Sequence, residues 1–488
     1  ELSKDAYKGF SGLYGSYAQK GGKASMLRLR MTAGRVTKEK FLFVSDMIRK
    51  HNVTRMHFTT CESIQLHDLQ TDAVCDIIEG GLSHNIVTMG GGDFPRNIMC
   101  SPLSGVARNE YFDVMPYAEA AGEYLMSFIK AEKMPRKLKV CFSNTPENIP
   151  HATFRDLGFA ARMDGTFDVY SAGGLGNNPR FGVKVAEAVS PEKILYYIKA
   201  MWLTFRAYGN YENRGKARTR YMQEALGGAE NYKKAFLLKL DEVFASGEAL
   251  DLTVTDFSIK KEGNGSEASG SRILPQKQEG LYTVAWHPIG GQPTPKTFCD
   301  LCDILKDIEG AEIRLAPDET AYIINLTGDE AVRVLTATKD GASTLFETSV
   351  SCIGGNVCQI GLRDSQALLA ACIKAVRKAG IPDGALPQIH ISGCPSSCGT
   401  HQTGIMGFRG GVKMLEQKPE PAFVLYINGN ERQGEERMGQ EVGTILESRI
   451  PEFLVELGRA VSQSGVSFLE WFAADPEAVI RIAAPYIS

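Results

Sequence analysis

Two close cysteine pairs are the residues of this sequence best suited to chemistry. Cys352 and Cys358 form a C-x5-C pair within Ser-Cys-Ile-Gly-Gly-Asn-Val-Cys, and Cys394 and Cys398 form a C-x3-C pair within Ser-Gly-Cys-Pro-Ser-Ser-Cys-Gly. Four thiolates in two pairs hold either zinc or an iron–sulfur cluster. Structural zinc favours short knuckles at both pairs, so the wider first pair leans toward a cluster. The flanking glycines let backbone N–H groups turn toward its sulfurs. Pro395 stops a helix from starting too early between Cys394 and Cys398. A third pair, Cys299 and Cys302, lies in a helical pattern and reads as buried packing, as do Cys75 and Cys372. A separate constellation is cationic. Lys137 and Lys139 lie two apart on a predicted strand, so both side chains leave one face, where they can clamp an oxyanion and supply protons. A solvated strand edge is the competing reading of Lys-x-Lys alone. Gly174-Leu-Gly176-Asn-Asn-Pro179 begins like a dinucleotide fingerprint, but Pro179 occupies its sixth position, which disfavours a Rossmann site and leaves a tight turn.

These residues need elements to position them. Residues 26–88 read as strand, helix, strands around a turn, helix: Met26–Thr32, Thr37–Lys50, Arg55–Leu69 and Asp72–Ser83. Residues 281–340 read alike, as Leu281–His287, Lys296–Ile308, Glu312–Leu326 and Asp329–Thr338. Laying Arg55–Leu69 on Glu312–Leu326 matches Met56 with Ile313, Phe58 with Leu315, Leu66 with Ile323 and Leu69 with Leu326. The pattern predicts α+β modules related by a pseudo-twofold internal repeat. Between the copies fall a helix Met115–Lys133, a strand Leu138–Ser143, a Gly-rich turn Gly173–Gly182 and a helix Pro191–Tyr208. Glu262–Ser271, poor in apolar residues, is the linker candidate.

Composition bounds the rest. A chain of 488 residues predicts about three domains. A 43% hydrophobic and 23% charged content describes an ordinary globular chain. The net charge is only -3, so no global basic field points to nucleic acid, and any anion site must be built locally. No apolar run suits a membrane span, and Glu-Leu-Ser-Lys-Asp lacks a signal-peptide signature, so a cytoplasmic protein is expected. Because the first residue is not Met, a removed leading segment stays compatible with the sequence.

Taken with its neighbours in order, Cys352-x5-Cys358 with Gly393-Cys394-Pro395-Ser396-Ser397-Cys398-Gly399 resembles the cluster motif of the sirohaem-containing nitrite and sulfite reductases, assimilatory type. Gly12-Leu-Tyr14-Gly15, Met26-Leu-Arg28-Leu-Arg30, Thr59-Thr60 through Gln65-Leu-His67, Arg96-Asn97-Ile-Met-Cys100, Pro135-Arg136-Lys137-Leu138-Lys139, Gly173-Gly174-Leu175-Gly176 and Asn213-Arg214 through Ala217-Arg218 agree as well. The resemblance spans essentially the whole chain. It implies a three-domain haemoprotein-like fold: 1–90 as the N-terminal half of the repeat, a ferredoxin-like lobe; 91–261 as a first sirohaem-binding domain; 272–345 as the second half of the repeat; and 346–488 as a second sirohaem-binding domain bearing the cysteines. It further implies sirohaem and one [4Fe–4S] cluster held by Cys352, Cys358, Cys394 and Cys398, with Cys398 bridging to the haem iron. Arg28, Arg96, Lys137 and Lys139 become the cationic catalytic pocket of a six-electron reductase, taking sulfite to sulfide or nitrite to ammonia. Lys-x-Lys leans toward sulfite and the loop before Cys358 toward nitrite.

The departures matter too. His57 and Cys61 stand where the family usually carries arginines that hold sirohaem carboxylates, and Ser396 where Asn is frequent. Thr59 and Gln65 remain cofactor partners by resemblance. Arg55, Arg214 and Arg218 are candidate compensating cations, because burying carboxylates without cations is costly; a modified tetrapyrrole is the alternative. With no inserted ferredoxin domain, electrons are expected from a separate ferredoxin or flavoprotein. Competing readings are a paralogue acting on another substrate and an electron-transfer protein that keeps the cluster but reduces nothing.

Overall fold

The computed structural model describes residues 10–129, 131–257 and 259–487. Nineteen strands occur among them. In chain order they are β1 (Ser16–Ala18), β2 (Ser25–Arg30), β3 (Arg35–Val36), β4 (Arg55–Phe58), β5 (Ser63–Leu69), β6 (Met99–Cys100), β7 (Val140–Ser143), β8 (Leu157–Ala161), β9 (Phe167–Ser171), β10 (Val183–Val189), β11 (Ile273–Pro275), β12 (Tyr282–Trp286), β13 (Glu312–Leu315), β14 (Ala321–Leu326), β15 (Val350–Ser351), β16 (His390–Ser392), β17 (Met406–Leu415), β18 (Lys418–Ile427) and β19 (Gln440–Leu446). Two compact units form. The second consists of Leu175–Asn177, His287–Gln292 and Asp340–Ser488, and the first holds the rest. Among the described residues no helix is long and apolar enough to cross a membrane.

The expected repeat is present down to its register. Sheet order β1-β2-β5-β4 recurs as β11-β12-β14-β13, with β3 added at the edge of the second sheet. One constant shift carries Ser16↔Leu27 onto Ile273↔Val284, Leu27↔Leu66 onto Val284↔Ile323, and Arg55↔His67 onto Glu312↔Ile324. The same shift carries the left-handed pair Ala33 (φ 55°) and Gly34 (φ 70°) onto Gly290 (φ 59°) and Gly291 (φ 68°). Each pair turns the chain into a helix, Lys38–Lys50 after Thr37 and Pro295–Leu305 after Thr294. Alternation along the strands sends Leu27, Leu66, Phe58, Ile313 and Ile323 into one shared core, where Phe58 meets Trp286 edge to face at 5.8 Å. Cys299 and Cys302 are buried in that core, and Cys372 in that of the second unit. Cys75 is not buried. The helix Thr71–Leu82 turns Ala73, Val74, Ile77 and Gly81 inward, which leaves position 75 facing solvent. The linker candidate is tied down, with Asn264 and Ser266 both bonded to Asp329.

A second repeat emerges that the sequence pattern did not reveal. Sheet β6-β7-β8-β9-β10 has two parallel pairings followed by two antiparallel ones, and β15-β16-β17-β18-β19 in the second unit repeats that order and sense. The row Met99–Cys141–Gly158 corresponds to Val350–His390–Gly407. At both glycines an added Cβ would strike a carbonyl, Ala152 O at 1.8 Å and His401 O at 1.9 Å. Between β7 and β8, Asn148 (φ 53°) and His151 (φ 66°) take left-handed turns, as do Ser397 (φ 53°) and Thr400 (φ 53°) between β16 and β17. The cysteine loop is therefore one copy of a loop used twice.

Candidate functional site

The cationic site lies in the first unit and is built on β2. Leu27 and Leu29 point into the core, so Arg28 takes the opposite face. Arg30 is buried and donates to the carbonyls of Met89, Pro95 and Arg96, which fixes the loop carrying Arg96. The Arg96 amide donates to Leu138 O at 2.8 Å, setting that arginine against the Lys137–Lys139 run. Leu138 is buried there, and both lysines lie on the other side, half-buried. The Arg96 guanidinium also bonds Gly92 O at 2.8 Å, and that of Arg28 lies 5.8 Å from the Tyr17 ring centre. Burial pushes the Tyr17 phenol up, but Arg96 and Arg28 outweigh it and draw it below its ordinary value. Burial and the charge of Arg28 hold Arg96 below the usual arginine range.

Thr59 to Gln65 enter through a turn. The strand β4 ends at Phe58, and the Thr59 hydroxyl accepts from the amides of Cys61 at 3.3 Å and Ser63 at 3.2 Å. Cys61 therefore does not continue the strand face of Arg55 and His57; the turn carries it to Lys139, whose Nζ lies 3.2 Å from Cys61 Sγ. Asn97 holds the turn from beneath through Cys61 O and Glu62 O. Burial raises the Glu62 carboxyl well above the carboxylate range, and its Oε2 accepts from the Cys100 amide at 2.9 Å. Gln65 stands in register between Arg28 and His57. His57 is buried with Nε2 3.2 Å from Glu319 Oε1. Arg55 faces Asp68 at 3.6 Å, and Arg214 pairs with Asp93 at 2.8 Å on the surface. Arg218 grips the buried Asp156 at 3.1 Å, and Asp156 in turn accepts the Lys139 amide at 2.8 Å. The structure thus brings Arg28, Arg96, Lys139 and Cys61 together and puts Arg55, Arg214 and His57 on other partners. Arg155, beside Cys61, was missed, as was Tyr17; neither stands in a spacing that marks it out.

The cysteines belong to the second unit. Cys352 follows β15, Cys358 sits in the Gly354–Gly361 turn, and Cys394 and Cys398 lie between β16 and β17. The Gly393 amide donates to Cys352 Sγ at 3.2 Å, and Ser365 Oγ lies 3.2 Å from the same sulfur. The Gly393 carbonyl accepts from the amides of Leu362 and Arg363, clamping the two loops together. A Cβ on Gly393 would lie 2.5 Å from Arg363 O, so the clamp needs glycine. Burial, with the charge of Cys398, pushes the Cys352 thiol up to about 12. All four are free thiols, with Cys398 and Ser396 exposed.

Both sites fit the groups the resemblance implies. Four thiols, one already accepting a backbone N–H, are the donor set of an iron–sulfur cluster. Among the described residues no three His, Cys, Asp or Glu side chains converge on a single ion, and a [4Fe–4S] cluster instead takes one thiolate at each iron. In the first unit Arg96 Nε and Arg218 Nε are buried without a hydrogen-bond partner among the described residues, donors suited to an anionic group.

Fold and site together give two repeated modules, a cationic face in the first unit and a loop pair bearing four free cysteines in the second. Residues 17–82 match the nitrite/sulfite reductase ferredoxin-like half domain, and residues 91–243 match the nitrite and sulphite reductase 4Fe-4S domain. The two matches, to successive domains of one family, support the nitrite and sulphite reductase family for this chain. The second match covers the lobe without the four cysteines, as expected if both lobes are copies of one domain. A chloroplastic ferredoxin–nitrite reductase of Arabidopsis thaliana is 24% identical, with 83% of this chain and 70% of that one covered. An assimilatory ferredoxin-dependent nitrite reductase of Haloferax mediterranei is 24% identical over 88% of this chain and 76% of its own length. A ferredoxin sulfite reductase of Mycolicibacterium paratuberculosis is 22% identical over 80% and 68%. The solved structure of the Mycobacterium tuberculosis NirA protein shares the fold, with a TM-score of 0.80 at 18% identity, covering 98% of this chain and 92% of that one.

Proposed function

We propose that the protein reduces a small oxyanion by six electrons, sulfite to sulfide or nitrite to ammonia, at a coupled sirohaem and [4Fe–4S] centre. The observation that carries this is the convergence of Arg28, Arg96 and Lys139 on one half-buried face of the first unit. Cys352, Cys358, Cys394 and Cys398 would hold the cluster. When bound, that pair of centres supplies electrons one at a time. The arginines orient the oxyanion with charge-assisted hydrogen bonds, and Lys137 and Lys139 supply protons as its oxygens leave as water. A fixed cationic face of this kind stabilises developing negative charge without reorganising.

A separate ferredoxin supplies the electrons in this reading, with a flavoprotein as the alternative donor, and the cytoplasm is the compartment. A visible spectrum of the purified protein, titrated with nitrite and with sulfite, tests the function: bands that shift with either anion support it, and a broad spectrum blind to both overturns it.

One observation favours a second reading, a relative with a modified tetrapyrrole. His57 points to Glu319 and Cys61 to Lys139, so the two positions that usually carry arginines provide no guanidinium for cofactor carboxylates. Arg155 and Arg218 can compensate if ordinary sirohaem binds.

A further inference from the structure

Cys61 is an acidic side chain in contact with Lys139, one of the two lysines of the cationic face. It is placed there by construction. The Thr59 hydroxyl holds its amide, Asn97 holds its carbonyl, and Lys139 Nζ meets its sulfur at 3.2 Å. Charged and titratable groups face it from several elements. Lys139 comes from the run before β7, Arg155 from the turn before β8, Arg28 from β2 and Arg96 from the loop before β6. Glu62, its neighbour in the turn, is buried and held toward its neutral form. Cys61 packs against the small cluster of Met99, Cys141, Ala152 and Ala160, where burial drives the Cys141 thiol far above its ordinary range. Asp156 lies behind Lys139, engaged by the Lys139 amide and by Arg218.

Cations thus outnumber anions around this sulfur. A thiolate between several cations is stabilised, while an oxyanion entering the same field competes with it for the same positive charge. We propose that Cys61 is a positioning residue that sets the charge of the anion pocket: its thiolate seats the Lys139 ammonium before the oxyanion arrives, and it takes up a proton when the oxyanion binds. This rests on the reading of Arg28, Arg96, Lys137 and Lys139 as an oxyanion site. The step moves no electrons: a solvent proton adds to the sulfur, giving the thiol, and the charge of the incoming anion replaces the one lost.

The electrostatics support the geometry. Burial pushes the Cys61 thiol up, but Lys139, Arg155 and Arg28 outweigh it and bring it down to about 6. The sign follows. Below that value the sulfur is already neutral and the anion binds with no proton uptake; above it, binding must carry a proton in, so affinity weakens as pH rises. The device also biases the pocket toward ligands that bring one negative charge, since one proton compensates one charge.

Calorimetric titration of the holoprotein with nitrite, in buffers of different ionisation heat, counts the protons taken up. At about pH 7 the wild type is expected to take up close to one proton per nitrite and Cys61→Ser close to none. Between about pH 6 and pH 8 the wild-type Kd should weaken by up to tenfold per pH unit. Cys61→Ser should bind tightly throughout that range, and Cys61→Asp, which restores a fixed negative charge, on the order of tenfold more weakly throughout. A merely structural cysteine would not give that three-way pattern. No proton uptake in the wild type, or the same uptake in Cys61→Ser, overturns the proposal. If nitrite and sulfite both fail to bind, the oxyanion-site reading falls, and this use of Cys61 with it. Site-resolved alkylation across pH then separates the two: an inflection near 6 that moves up in Lys139→Met upholds the thiolate–ammonium pair, and one shared by both proteins removes the pair as well.

Discussion

The Gly393 amide donates to Cys352 Sγ at 3.2 Å, and the Asn144 amide donates to Ser101 Oγ at 3.1 Å. These are the same bond in the two copies of one lobe, since the row Met99–Cys141 corresponds to Val350–His390. A hydroxyl fills in one lobe the position that a thiol fills in the other. Cys352→Ser is therefore expected to fold, with a change in stability under about 1 kcal/mol, the scale of one hydrogen bond. It should nonetheless lose iron and acid-labile sulfide, measured colorimetrically on the purified variant. Gly393→Ala should lose both stability and cluster, because its Cβ meets Arg363 O at 2.5 Å.

Metal content provides the second expectation. Four cysteines at one loop pair predict about four irons and four labile sulfides per chain, with one further iron in the haem. Elemental analysis that finds stoichiometric zinc and no labile sulfide removes the cluster. The mass of the acid-extracted tetrapyrrole separates ordinary sirohaem, with Arg155 and Arg218 compensating, from an amidated or lighter ring.

Removing one pocket cation should slow turnover on the order of tenfold or more, the scale of a lost charge-assisted hydrogen bond in a shielded site. Arg28→Met and Arg96→Met are expected mainly to raise KM. Lys137→Met is expected mainly to lower kcat, since protons are consumed after binding. Steady-state rates with nitrite and with sulfite read the difference, and unchanged turnover of both in Lys137→Met returns that lysine to a solvated edge.

Acid stability should report on Glu312. Arg35, on β3, reaches both of its carboxylate oxygens at 3.0 Å, and Arg314 donates to it at 2.9 Å. Burial acts to raise its carboxyl, but Arg314 and Arg35 hold it down at about 2. A depressed carboxyl stabilises the fold above its unfolded value of roughly 4.3, and that stability is lost as pH falls toward about 2. Glu312→Gln, which leaves Arg35 and Arg314 short of a counter-charge, should cost about 3 kcal/mol at neutral pH and flatten the acid limb of the denaturation curve.

How much the sequence reveals depends on what each copy shares. The match of Met56 and Phe58 with Ile313 and Leu315 is legible because a constant shift holds from β1 through the helix after β5. The lobe repeat is hidden because the shift changes between β6 and β7 and again before β9, so no window longer than a loop and two strands lines up. Lys137, Lys139, Arg28 and Arg96 stand out through ordered resemblance. Arg155 does not, since its effect on Cys61 comes from a turn whose approach to Thr59–Ser63 is a tertiary fact. Cys75 misleads for a simpler reason: a small apolar-looking residue in an amphipathic helix fits either face, and only the neighbouring Ala73, Val74 and Ile77 decide which one packs.

The two repeats differ in how closely their copies match, and the cores explain it. The copies containing β1–β5 and β11–β14 pour their side chains into a single core, whereas the lobes around β6–β10 and β15–β19 keep separate ones. An insertion in either of the first two copies would displace a partner's packing as well as its own, which fits their equal length. Each lobe could lengthen, shorten and change its chemistry while the other stayed whole. A change of chemistry can therefore stay local to one lobe: Cys352 stands in one where Ser101 stands in the other, and neither core is disturbed by its counterpart.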